Sequence, residues 1–175
     1  GVWKLLMGSV AERIFRQAPC PVLTVGPKTE ATALEEGTQR ILFSTGFAQH
    51  SLNAGGFAIS LAREHNATLG MLTVVTQVAD DSPPQRERLM AENKARLGSL
   101  LPPDANLPCE PEFFVEFGNA AEAILRVAYD WRPDLIVLDI MMPEGTEGFH
   151  VVWRLRRRPE PYFQSVPIII LTAIH

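Results

Sequence analysis

A chain of 175 residues is long enough for one domain with a full core and too short for two of ordinary size. Its 46% hydrophobic and 21% charged residues, with a net charge of −4, fit a globular domain and give no electrostatic case for a nucleic-acid partner. No apolar run reaches the ~18 residues of a membrane helix and no signal peptide is visible. Cys20 and Cys109 match neither a metal spacing nor a disulfide framework, and read as reduced thiols of a cytoplasmic protein. The chain opens on Gly1 rather than methionine and stops at His175 just after a strand-like run, which suggests a fragment or a chain joined from pieces.

In chain order, Ser9 and Glu12 make a capping box for a helix over 9–18, with Val10, Ile14 and Phe15 at helical spacing. Pro19 and Pro21 stop it, and a short strand follows at 22–25. Residues 27–39 are polar and aperiodic, hence a linker. From Arg40 onward strands and helices alternate. A strand over 41–44 leads to a helix over 52–65, with Ala54, Phe57, Ala58, Leu61 and Ala62 inward.

The next strand covers 69–75. The loop 76–84, with Asp80, Asp81 and two prolines, leads to a charged helix over 85–101 that turns Leu89, Met90, Leu97, Leu100 and Leu101 to the core. A loop at 102–111 precedes a strand over 112–117. Gly118 and Asn119 then open a helix over 120–131 whose inner side carries Ala121, Ile124, Leu125 and Ala128. A strand at 134–138 closes on Asp139, a helix covers 149–157, and the last strand covers 166–171.

Strands separated by helices predict an α/β fold, a three-layer doubly wound parallel sheet of order 3-2-1-4-5 with right-handed crossovers. In such sheets ligands bind beyond the carboxyl ends of the strands, where Thr45 and Asp139 stand. Arg154, Arg156, Arg157 and Arg158 read as a solvated helix end whose cations favour the helix C-terminus. His50, His65, His150 and His175 lie far apart with no ligand spacing, so surface histidines and no metal are expected.

Residues 40–138 resemble a universal stress protein domain, through the strand Arg40-Ile-Leu-Phe-Ser, the helix containing Ser51, and Gly118-Asn-Ala-Ala-Glu-Ala-Ile leading to Asp134-Leu-Ile-Val-Leu. Residues 1–26 resemble the tail of another such domain, in Leu5-Leu-Met-Gly-Ser-Val-Ala-Glu-Arg followed by Ala18-Pro-Cys-Pro-Val-Leu-Thr-Val. The resemblance divides the chain into a helix-strand tail at 1–26, a linker at 27–39 and an α/β domain at 40–175. It implies ATP binding by a glycine-rich loop ending in Gly-Ser at a helix start, where backbone amides point at the phosphates. Gly8, Ser9 and Val10 match that ending, with Thr45, Val74 and Val75 as further nucleotide candidates. The acidic residue that the family places near the end of its first strand falls at Gly46. The family's closing strands meet across a dimer interface, which implies that strand 22–25 lies beside 168–171, antiparallel at the sheet edge. In the alternative arrangement the N-terminal unit sits beside the fourth strand.

Residues 133–173 resemble part of a response-regulator receiver domain: the run from Pro133 to Pro143, then Gly148 and Phe149, then Val166-Pro-Ile-Ile-Ile-Leu-Thr-Ala. The closing helix and strand, about 144–173, would then be receiver-like. That family phosphorylates its strand-end aspartate, matched by Asp139, and contacts the phosphoryl group through a threonine, matched by Thr172. Such transfer needs magnesium, and no acidic pair follows the first strand, which ends Ser44-Thr-Gly. The expectation from both resemblances is a binding or interaction module, not an enzyme, with weak ATP binding. Its alternatives are a magnesium-dependent phosphorylation switch at Asp139 and a ligand-free module that forms homodimers through its edge strand.

Overall fold

The computed structural model describes residues 37–47, 51–78, 82–139 and 147–171, with the side chains of 51–53 and 147–150 left aside. The strands are β1 Arg40–Ser44, β2 Thr68–Val75, β3 Glu112–Phe117, β4 Leu135–Asp139 and β5 Ile168–Leu171. The helices are α1 Ser51–Glu64, α2 Pro83–Ser99, α3 Ala120–Trp131, α4 Glu147–Arg156 and α5 Pro161–Ser165. Among the described residues all four strand pairings are parallel and the order is β3-β2-β1-β4-β5, as the alternation of elements predicts. The N-terminal helix and the strand at 22–25, with its antiparallel placement, lie outside the described residues.

Successive residues of the central strands point to opposite faces, and each face has its own core. Leu42, Ile136 and Leu138 pack under α3, α4 and α5 with Ile124, Leu125, Val151 and Phe163. Ile41, Phe43, Leu135 and Val137 pack under α1 and α2 with Ala58, Ala62 and Leu97. Central strands buried on both faces need continuous apolar runs, which is why β4 reads Leu-Ile-Val-Leu without alternation.

Three details differ from the sequence reading. Met90 is exposed on α2, and the buried position at this turn is Asn93, whose side-chain amide donates to the Leu89 carbonyl at 2.8 Å. A stripe at 89, 93 and 97 has four-residue spacing, so one polar member that satisfies itself locally displaces the apolar residue. Second, β5 begins at Ile168, because Pro161 at the first turn nucleates the short helix α5 and leaves Val166 as its C-cap. Third, the arginine cluster is not merely solvated. Arg154 pairs with Glu122 at 3.1 Å, and the Arg156 guanidinium donates to the carbonyls of Phe163 and Val166 at 2.7 and 2.8 Å. Burial lowers the Arg156 pKa from its ordinary range.

Tyr162 ties this closing segment to the base of β4, its hydroxyl donating to the Pro133 carbonyl at 2.8 Å. Arg132, in the left-handed conformation at the C-cap of α3, lies over both Tyr129 and Tyr162. Burial raises the Tyr162 phenol pKa, with the nearby Arg132 cation opposing it. A raised folded-state pKa means that this stabilisation is complete below the unfolded phenol's value near ~10 and is lost as pH rises above it. Tyr162→Phe should cost about 1 kcal/mol at neutral pH through the lost hydrogen bond. It should also shrink the fall of Tm above pH ~10. An unchanged alkaline limb in thermal melts would contradict this.

Candidate functional site

The strand order fixes where a ligand crevice can form. From β1 the chain proceeds outward through β2 and β3 on one side, then crosses back to β4 and β5 on the other. Neighbouring connections therefore run to opposite faces between β1 and β4, and the sheet opens beyond their carboxyl ends. The register sets Ser44 opposite Leu138, so the next residues, Thr45 and Asp139, face each other at the mouth.

Both are buried, Thr45 at 2% exposure and Asp139 at 4%. The Thr45 hydroxyl donates to Asp139 Oδ2 at 3.4 Å and accepts the Phe47 backbone N–H at 3.1 Å. Phe47 takes a left-handed φ of +59° in this turn, uncommon for a bulky residue, and the Arg96 guanidinium lies 4.0 Å over its ring. With its hydroxyl engaged on both sides, Thr45 latches β1 to β4. The latch was legible as two residue types at two strand ends; their pairing required the register.

Val74 and Val75, adjacent in sequence, fall on opposite sheet faces. Val74 packs against the core under α3, and Val75 against the core under α1 and α2. Only one of them can line a single ring-binding surface. Gly118 continues the same end of the sheet: its N–H donates to the Val75 carbonyl at 3.0 Å, and its φ of +104° is a conformation glycine tolerates best. Asn119 caps α3 as the sequence predicts, its side chain accepting the Glu122 N–H at 3.1 Å. Gly8, Ser9, Val10 and Thr172 lie outside the described residues, as do Asp80 and Asp81.

At the opposite end of the sheet, Asp134 has a role that sequence reasoning placed inside the strand. Its Oδ2 accepts the N–H groups of Gln39 and Arg40 at 2.8 and 2.9 Å, tying the entry of β1 to that of β4. Two concavities lie away from the β1/β4 mouth. One, of about 580 Å³, lies beside Thr38 and His65 at the amino end of the strands, and the other, of about 630 Å³, lies between α3 and the α4–α5 pair. No group of three or more metal-ligating side chains occurs among the described residues, and none of their helices is long and apolar enough to cross a membrane.

A sequence profile of the universal stress protein family matches residues 37–139. Among solved structures, hypothetical protein MJ0577 superposes with a TM-score of 0.59 at 14% identity, covering 79% of this chain and 98% of that one. The universal stress protein UspA from Lactobacillus plantarum gives 0.53 at 17% identity, covering 77% and 98%. A universal stress protein solved in complex with cAMP gives 0.51 at 18% identity, covering 77% and 97%. At these identities the likeness concerns the fold. A stretch of 49 residues, 28% of the chain, is 49% identical to the transcriptional regulatory protein AfsQ1 of Streptomyces coelicolor, and spans only 19% of that protein's length.

Proposed function

The chain belongs to the universal stress protein family, and on that premise we propose that it is a nucleotide-binding or interaction module that works without catalysis. The carrying observation is the β1/β4 mouth, the one place where this strand order leaves a crevice beyond the carboxyl ends. A universal stress protein of similar fold solved in complex with cAMP supports a nucleotide as the ligand class. The chemistry at the mouth argues against turnover: the Asp139 carboxylate is buried and already receives the Thr45 hydroxyl.

The residues fit ATP in part. One valine of Val74 and Val75 can meet a ring, whereas Gly46 brings no carboxylate to a ribose. Calorimetry with ATP and magnesium should therefore give a dissociation constant on the order of 1 mM, about 4 kcal/mol. Restoring the acidic group with Gly46→Asp should tighten binding by about tenfold, through a hydrogen bond to charge worth about 1.5 kcal/mol or more. Micromolar affinity abolished by Ser9→Ala would instead assign the phosphates to the N-terminal motif. Absence of heat at several-fold higher nucleotide would leave the edge-strand dimer, read by sedimentation.

The match to a transcriptional regulator favours one second reading, a phosphorylation switch at Asp139. It requires the Thr45 hydroxyl to release the carboxylate. Magnesium-dependent beryllofluoride binding that disappears in Asp139→Asn would establish it; a metal-independent null response would end it.

A further inference from the structure

We propose that the groove between α3 and the α4–α5 pair is a docking surface for an acidic polypeptide segment of a partner protein. The groove lies on the α3 side of the sheet, away from the strand-end crevice, and is open rather than enclosed, with a volume of about 630 Å³. Its charged lining is Arg126, Arg154, Arg157, Arg158, Glu122 and Glu160. Arg126 is paired with Glu116 and Arg154 with Glu122, which leaves Arg157 and Arg158 as the positive charges of the patch on a chain whose net charge is −4. The sign is therefore local, and acts within the Debye length of about 8–10 Å rather than as a long-range field.

The aromatic content points the same way. The large exposed hydrophobic residues among those described are Met90, Tyr129 and Trp153, and two of these three line this groove, Tyr129 at 48% exposure and Trp153 at 54%. Trp, Tyr and Arg are the residue types that dominate binding energy at protein interfaces.

These side chains are preset. The Arg157 guanidinium lies 4.4 Å over the Trp153 ring, Arg132 lies 4.7 Å over Tyr129, and Glu122 holds Arg154 at 3.1 Å. Docking them costs less side-chain entropy than ordering unrestrained ones. Arg158 forms no ion pair among the described residues, so its charge is open to a carboxylate. Arginine's planar fork suits carboxylates.

A polypeptide is favoured over a nucleic acid by Glu160, which lines the same groove. Its Oε2 is buried without a hydrogen-bond donor among the described residues. Peptide N–H groups supply donors along a chain, whereas a phosphodiester backbone supplies none.

The test uses the full chain and a fluorescein-labelled copolymer of glutamate and tyrosine, followed by anisotropy at low and physiological salt. The copolymer should bind in a salt-dependent manner, and polyglutamate lacking tyrosine several-fold more weakly. Arg157→Glu with Arg158→Glu should weaken binding at least about tenfold, a loss typical of interface anchors. Trp153→Ala should weaken it by a similar factor while far-UV circular dichroism is unchanged, and the milder Arg158→Gln should give a partial loss. Arg63→Glu, on α1 across the sheet, should leave it intact. Equal loss in Arg63→Glu would overturn the proposal, as would tighter binding of a thymidine oligonucleotide than of the copolymer. Stronger copolymer binding after Glu35→Gln with Glu36→Gln would also overturn it, by making the chain's own acidic segment the occupant.

Discussion

Phe163→Ala is expected to destabilise the fold by about 3–5 kcal/mol, roughly a fifth or more of the ~5–15 kcal/mol stability of an ordinary domain. Phe163 is 2% exposed and sits in the core under α3 with Leu125, Val151 and Leu155. Its ring stacks on Tyr129 with centroids 6.3 Å apart and meets Tyr162 edge-on at 5.0 Å, contacts worth about 0.5–1.5 kcal/mol each beyond burial. The cavity cannot collapse easily, because Arg156 pins the Phe163 carbonyl and Tyr162 pins the base of β4. Thermal unfolding should drop on the order of 10 °C for a chain of this size. The experiment bears on the seam between the two resemblances. A loss near zero would mean that the closing segment hangs beside the stress-protein core, whereas the full loss makes it part of one cooperative unit.

The second large effect is expected at Gly70, a buried position on β2. A Cβ there would stand 2.8 Å from Cη2 and 2.9 Å from Cζ3 of Trp131, and 3.0 Å from Cε2 of Phe114. The indole has little room to retreat: its N–H donates to Glu112 Oε1 at 3.1 Å, and its ring meets Phe114 edge-on at 5.5 Å. Gly70→Ala should therefore cost about 1–3 kcal/mol through overpacking, less the ~0.4–1 kcal/mol that alanine returns by restricting the unfolded chain. Trp131→Phe in the same chain should recover part of the loss, as a coupling energy in a double-mutant cycle. Additive losses would show that the glycine is not there for the ring. Glycine in a strand marks a close approach, yet nothing local to β2 names the partner, which lies sixty-one positions away at the end of α3.

The same contrast runs through the molecule. The continuous apolar run of β4, the helical spacing on α3 and its Asn119 cap are properties of neighbours in the chain. Residue order alone therefore determined the parallel α/β sheet, its order and nearly all element positions among the described residues. Local competition was harder to read: Asn93 took the place expected for Met90 by bonding within its own turn, and Pro161 started a helix in an interval to which no element was assigned.

At the candidate site, Thr45 and Asp139 were visible as polar residues ending apolar strands. Only the register of β1 on β4 made them partners and spent the hydroxyl on the carboxylate. Likewise, the arginines of α4 read as a solvated end until α3 and α5 supplied Glu122 and the α5 carbonyls across from them. Periodicity decides which face of an element is apolar. What each polar group meets depends on elements distant in sequence, and that was decided by the tertiary packing.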